Sequence, residues 1–320
     1  MRTLLLWCVA ISLASTECAL AQSYPSRPIR WVVAASPGGG GDIVARLLAP
    51  ELTQLLGQQV VVDNRPGASA MIGAAIAAKA PADGYTWLFG TGQHTINPNL
   101  VKKMQYDIVN DFTPVTPLVF TRYFLMVHPA VPARSVKELI ALAKARPGQL
   151  NLGSGGTGST GFLSGVLLQV MAEIKMVHVP YKAVGPALTD LAGGHVDLMF
   201  PSITSGIPFH RAGKLRGLGV TSPRRHPSIP DIPTIAEAAL PGYEMQSWFG
   251  ILVPAGTPRD IVNRINAMFV KLVNSPTTRG ALIAQGTDPK TDTPEGFARL
   301  IQHELARNAK LLRGVGVEPQ

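Results

Sequence analysis

The sequence predicts an α/β protein made of two sheet-and-helix units on one chain. Three observations predict it. Short β-branched runs alternate with stretches of helical length from Ile29 onward, the pattern of parallel sheets covered by helices. Glycine-rich turns separate several of these runs from the helices behind them. The 320 residues suit two domains at roughly 100–200 residues each. An apolar share of 46% can fill real cores, and a charged share of 15% is too low for a disordered chain.

The chain begins with a targeting segment. Met1 and Arg2 give a positive start, and Leu4 to Ala14 is an apolar stretch. That stretch falls well short of the ~20 apolar residues of a membrane-spanning helix. Ala19-Leu20-Ala21 reads as a small-x-small cleavage site, so residues 1–21 form a secretory signal peptide and Gln22 starts the mature chain. A periplasmic location is expected. Cys8 and Cys18 both precede the cut, which leaves no thiol for a disulfide, a nucleophile or a Cys-ligated metal. A lipoprotein reading of Cys18 meets Glu17 where a small residue is needed.

The first unit runs strand, helix, strand, helix, strand. Ile29 to Ala35 reads as a buried strand, Asp42 to Leu56 as a helix and Gln59 to Asp63 as a strand. Ala68 to Lys79 is a small-residue helix and Tyr85 to Phe89 a third strand. The second unit starts near Tyr123. Its expected strands are Tyr123 to Val127, Leu150 to Gly153, Met176 to Val179 and Val196 to Phe200. Its expected helices are Val136 to Ala145, Gly158 to Ala172 and Pro186 to Ala192. Residues 222–234 hold four prolines and read as an irregular crossing. A long strand at Tyr243 to Val253 and two amphipathic helices, Pro258 to Asn274 and Pro294 to Leu312, complete the chain. The last helices lack a sheet of their own and are expected to pack on the first unit. The chain then crosses between units near residues 113–124 and 240–250, giving a hinge and a cleft. The expected division is residues 22–120 with 245–320 for lobe 1 and 121–244 for lobe 2.

The chemistry lies in four turns. Pro37-Gly38-Gly39-Gly40-Gly41-Asp42 lets a backbone approach a guest without Cβ obstruction, and the helix behind it offers unpaired N–H groups. Asp42 is expected to cap that helix. Asn151 to Gly161 repeats the pattern, with hydroxyls at Ser154, Thr157, Ser159 and Thr160. Pro66 to Ala70 and Gly90 to His94 face the same way if the sheets are parallel, since guests of open α/β sheets bind beyond the carboxyl ends of strands. Gly153 to Gly158 also matches G-x-G-x-x-G, and Glu173 lies 20 residues past Gly153. That acid falls before the next strand rather than at its end, which disfavours a dinucleotide site.

Catalytic patterns are sparse. Gly67 to Met71 breaks the nucleophile-elbow pattern at its last position. No Lys follows the glycines as in a phosphate-binding loop. His303-Glu304 begins like a zinc helix, but Arg307 replaces the second His. No catalytic residue, metal or cofactor is assigned. Basic residues outnumber acidic ones 29 to 20, a net +9, yet they are scattered with no basic run among aromatics, which excludes a nucleic-acid partner. A positive field would help to gather small anions.

An ordered set of segments carries a family resemblance. PSRPIR at 25–30, PGGGGD at 37–42, VVVDNRPGA at 60–68, ADGYT at 82–86 and NDFTPV at 110–115 open it. VPYK at 179–182, GPALTDLAGGHVDLMF at 185–200, PTIAEA at 233–238, PGYE at 241–244 and WFGILVPAGTP at 248–258 continue it. The chain resembles the Bug receptors, the extracytoplasmic solute-binding proteins of the tripartite tricarboxylate transporter family. The resemblance implies a type II periplasmic binding protein fold, two α/β lobes with a ligand cleft and a two-strand hinge. It also implies a small organic carboxylate as ligand and integral membrane transporter subunits as partners, with the receptor a monomer.

Carried over, the first-lobe ligand positions are Gly38, Gly39, Gly40, Asp42, Ala68, Ser69, Ala70, Thr91, Gln93 and His94. The second-lobe positions are Ser154, Gly155, Thr157, Gly158, Ser159, Thr160, Ala183 and Asp197. The chain departs from the family at Ala35, where an aromatic residue is common, and at Ala70 and Ala183, where Gly is common. It departs again at Phe162 and Val166, where His and Glu are common. These changes imply a less polar or larger pocket. Two functions stay open at this point: a carboxylate receptor, which could also only signal, and an exported hydrolase or nucleotide-dependent enzyme pairing Ser69 or Ser154 with His94.

Overall fold

The computed structural model describes residues 24–314. The expected signal peptide lies outside them. Two sheets organise the chain, one of six strands and one of five.

The first sheet begins with three parallel strands: β1 (Ile29–Val33), β2 (Val60–Asn64) and β3 (Thr86–Thr91). The connecting helices are α1 (Gly40–Leu56) and α2 (Met71–Ala78). β1 and β3 are central, so both of their faces carry apolar residues, as parallel strands under helices require. Trp31, Trp87 and Phe269 meet with ring centroids 5.4–6.1 Å apart and anchor the core on one face. The turns after all three strands open at one edge, because β1 pairs in register with β2 (Val33 with Asn64) and with β3 (Val33 with Phe89).

The sheet continues with β4 (Phe112–Arg122), which carries the chain into the second sheet at β5 (Phe124–Val127). The sequence places a crossing over most of β4. Pro114 and Pro117 hide the strand, because proline cannot donate to a ladder. The structure accommodates them where β4 pairs with β10 (Gln246–Pro254): Pro117 faces Gly250 and Pro114 faces Leu252, each beside a shift in register. The crossing itself is only residues 122–124.

The second sheet holds β6 (Asn151–Ser154), β7 (Val177–Pro180), β8 (Leu198–Met199) and β9 (Arg216–Val220) with β5, in the order β7-β6-β8-β5-β9. β6 is parallel to β7 and β8, and β5 is antiparallel to β8 and β9. Its helices are α3 (Val136–Ala145), α4 (Thr160–Ala172), α5 (Val184–Ala192), α6 (Ile203–Arg211) and the short α7 (Ile235–Ala238). α6 and β9 have no expected counterpart. α6 contains Gly206 and Pro208, which mask a helical period, although Ser202 caps it by accepting from the Ser205 amide.

β10 returns the chain to the first sheet, antiparallel to β3 and β4. Thr221 ties the two crossings together. Its hydroxyl accepts from the Tyr123 amide at 2.9 Å and donates to the Met245 carbonyl. Two further helices, α8 (Arg259–Val273) and α9 (Pro276–Ala284), precede a three-residue edge strand, β11 (Thr287–Pro289), on β4. α8 packs Val262, Ile265 and Phe269 against the first sheet's core. The last helix, α10 (Pro294–Gly314), buries Phe297 and Ile301 beside Trp248 of β10. Its far end differs: Leu312 packs on Phe162, Leu163 and Val166 of α4, so this helix touches both lobes. No helix among the described residues is long and apolar enough to cross a membrane.

Candidate functional site

The first turn is built by its own chain. Gly38 takes φ +77°, and its amide donates to Asp42 Oδ2 at 2.8 Å. Asp42 Oδ1 accepts from Arg46 Nε and from Asn64 Nδ2, both at 2.9 Å. Asp42 is 3% exposed and is not the helix cap: α1 starts two residues earlier at Gly40, with Gly39 as N-cap. The buried carboxylate instead clamps the glycine turn to β2. Gly40 faces across the lobes, since a Cβ there would lie 3.7 Å from Ser202 Oγ and 3.8 Å from Phe249.

The second turn has an unusual backbone. Ala68, Ser69 and Ala70 hold φ values of 46°, 52° and 72°, three successive non-glycine residues in the left-handed region. That costs roughly 1–2 kcal/mol per residue and persists where the surroundings fix it. Such strain concentrates at functional sites. α2 starts only at Met71, so the expected helix over Ala68 is corrected to this turn.

The third turn leaves β3 as a 3-10 segment, Gly92–Thr95, capped by Thr91, whose hydroxyl accepts from the Gln93 amide at 3.0 Å. His94 is fully buried, with Nδ1 2.8 Å from the Tyr106 hydroxyl and Nε2 without a partner among the described residues. Burial pulls its pKa down to about 4, so the ring is neutral at pH 7.

The fourth turn joins β6 to α4. Gly156 takes φ +119°. The Ser154 hydroxyl accepts from the Gly156 amide at 3.2 Å and lies 2.7 Å from His178 Nε2. Ser159 caps α4 by accepting from the Phe162 amide at 3.2 Å. Gly155 faces Val184 at the start of α5: a Cβ there would lie 2.8 Å from Val184 Cγ2 and 3.6 Å from the Ala183 carbonyl carbon. Ala183 is the N-cap of α5 and so joins this turn.

The turns of the two lobes meet. A Cβ on Gly156 would lie 3.4 Å from Ser69 Oγ, and one on Gly158 would lie 3.0 Å from Ser69 Cβ and 2.5 Å from Asn97 Oδ1. Asp197 is not part of this meeting. Its carboxylate accepts from the Asn151 amide at 2.7 Å, at the start of β6, whereas Ser154 ends that strand. At about 3.3 Å of rise per residue, three residues put it about 10 Å away along the strand. The expected Ser–His pairing also changes. His94 is held by Tyr106, and the histidine beside Ser154 is His178 on β7, which stacks on Phe162 at 4.3 Å. Sequence reading missed His178 because strand alternation alone marks it. It missed Asn97, Tyr106, Ser202 and Phe249 because only the fold brings them near the turns. No group of side chains fit to hold a metal exists among the described residues.

A model of the family described as "Tripartite tricarboxylate transporter family receptor" matches residues 44–317. The chain belongs to that receptor family. A UPF0065 protein encoded in the tcbD-tcbE intergenic region of Pseudomonas sp. strain P51 is 40% identical over 95% of this receptor and 91% of its own length. BugT of Bordetella pertussis is 34% identical, over 93% and 92%. Among solved structures, R. palustris Rpa4515 with adipate gives a TM-score of 0.89 at 38% identity, over 93% of this receptor and 100% of that chain. MatC of Rhodopseudomonas palustris with bound malate gives 0.84 at 31% identity, over 90% and 100%.

The receptor's four turns contain no Lys or Arg. Their donors are main-chain N–H groups, hydroxyls and the Gln93 amide. The cation next to them in sequence is Arg65, which is exposed and ion-paired with Asp63 at 2.8 Å. His178, like His94, is neutral at pH 7, because burial pulls its pKa down to about 4. The Ser154–His178 pair serves the turn's geometry: Ser154 is fully buried and its oxygen already serves the Gly156 amide.

Proposed function

We propose that the protein is an exported, periplasmic receptor that captures a small organic carboxylate between its lobes and passes it to integral membrane transporter subunits. It works as a monomer, needs no cofactor and catalyses no reaction. One observation carries this reading: donor-rich strand-end turns of both sheets converge, with Ser69 of lobe 1 against Gly156 and Gly158 of lobe 2. Such turns bind anions through unpaired amides and the positive end of a helix. A guest touching both lobes favours the closed form by its differential affinity. The relatives solved with adipate and malate support a carboxylate as that guest.

The ligand positions proposed are those of the four turns with Ala183, and Asp197 is left out. Asp42 acts through the turn that it clamps. Titration calorimetry of the mature protein against adipate, malate and a wider carboxylic acid panel tests the reading. Binding of at least one acid without turnover is expected. Turnover of a panel member, or binding of none, would overturn it.

A further inference from the structure

Asn97 is a buried polar side chain, 1% exposed, that lies outside all four turns. It opens a second 3-10 segment, Asn97–Asn99, directly after the third turn. Its Nδ2 donates to the Ser69 carbonyl at 2.9 Å. That carbonyl sits in the middle of the left-handed run 68–70, which needs an outside hold to persist. The Tyr106 phenol, whose oxygen lies 2.8 Å from His94 Nδ1, is an electrostatic neighbour of the same amide. Its Oδ1 faces the opposite lobe, 2.5 Å from where a Gly158 Cβ would stand. One amide therefore touches the second turn, reaches the third through Tyr106, and abuts the fourth across the gap.

We propose that Asn97 is the positioning residue of the interlobe site. It holds turn 68–70 in its left-handed form, and it is the stop against which Gly158 closes. The separation of the lobes, and with it the length of guest admitted, is set by this contact. The length-setting half rests on the receptor reading above. The hold on the turn rests on the hydrogen bond alone. Position 158 is glycine because Asn97 and Ser69 fill the space that a side chain would need.

Three variants test the proposal. Asn97→Asp keeps the shape but removes the donor, Asn97→Ala removes donor and stop, and Gly158→Ala thickens the far side. Hydrogen exchange of the ligand-free protein over residues 66–75 reads the hold on the turn. Exchange there should rise about ten-fold in both Asn97 variants, in line with the loss of one buried hydrogen bond, and stay at the wild-type level in Gly158→Ala. Calorimetry with succinate, adipate and suberate reads the stop. Asn97→Ala should move the affinity ratio about ten-fold toward the longer acid, as pocket-length changes do, and Gly158→Ala should lose all three.

Wild-type exchange at 66–75 in both Asn97 variants overturns the hold. Loss of all three affinities by one common factor in Asn97→Ala overturns the stop, since a merely structural residue would act that way. A wild-type protein that binds none of the three acids overturns the length-setting half, while the receptor reading falls only if the wider acid panel is also left unbound. The exchange result then decides the hold by itself.

Discussion

Acidification should weaken this fold through His94 in a way that can be isolated. In the unfolded chain a histidine titrates near 6.5. In the folded protein burial depresses His94 to about 4. Between these values the unfolded state binds a proton that the folded state refuses, so stability falls as pH drops from about 6.5 to about 4 and is fully present above 6.5. At about 1.4 kcal/mol per pKa unit the loss approaches 3 kcal/mol. The group is fully buried, so screening by solvent takes little from this figure. Guanidinium unfolding followed by fluorescence of the buried Trp31, Trp87 and Trp248 measures it. Carboxylates also titrate in this range, so the decisive quantity is the wild-type loss minus that of His94→Gln, whose amide can still meet Tyr106. A difference of about 2–3 kcal/mol between pH 7 and pH 4 is expected. Parallel loss in the two proteins would refute the argument.

Three substitutions probe the turns. Asp42→Ala leaves the Gly38 amide, Arg46 and Asn64 without their shared acceptor. It should cost about 1–3 kcal/mol of unfolding free energy, as a lost buried acceptor does. Ala68→Gly relieves a left-handed, exposed alanine. Denaturant unfolding should show a gain of about 0.5 kcal/mol, the strain relieved less the entropy cost of glycine. Gly155→Val meets Val184 rather than open space. It should lower the thermal midpoint as well as affinity, by about 1–3 kcal/mol of overpacking, and a wild-type melting curve would show that α5 yields.

Much of the fold could be read from the chain, for physical reasons that differ by element. Val136–Ala145 was legible because Ser135 caps it and its apolar residues recur at helical spacing. β1 was legible as an apolar run interrupted only by Arg30, since both its faces are covered. β4 was not, because its prolines sit at irregular points that only the β10 partner accommodates. The site divides in the same way. Glycine-rich turns announce themselves, but the conformation of Ala68, Ser69 and Ala70 does not, since nothing in those residue types asks for positive φ. Asp42 has the residue type of a cap, yet the glycine run turns helical two residues before it. Asp197 has the residue type of a ligand group, yet strand direction puts it at the far end of the sheet.

The absence of Lys and Arg from the four turns, beside a net charge of +9, separates two electrostatic roles. The net charge acts at long range and is screened over about 10 Å at 0.1 M salt. The amide and hydroxyl donors act at contact and are dipoles, which salt screens little once a guest excludes water. For an acid that calorimetry shows to bind, stopped-flow fluorescence at low and physiological ionic strength should therefore show a several-fold fall in association rate. The dissociation rate should change by less than about two-fold. A dissociation rate that rises steeply with salt would mean that a charged side chain holds the guest, and the construction of the site from uncharged donors would be wrong.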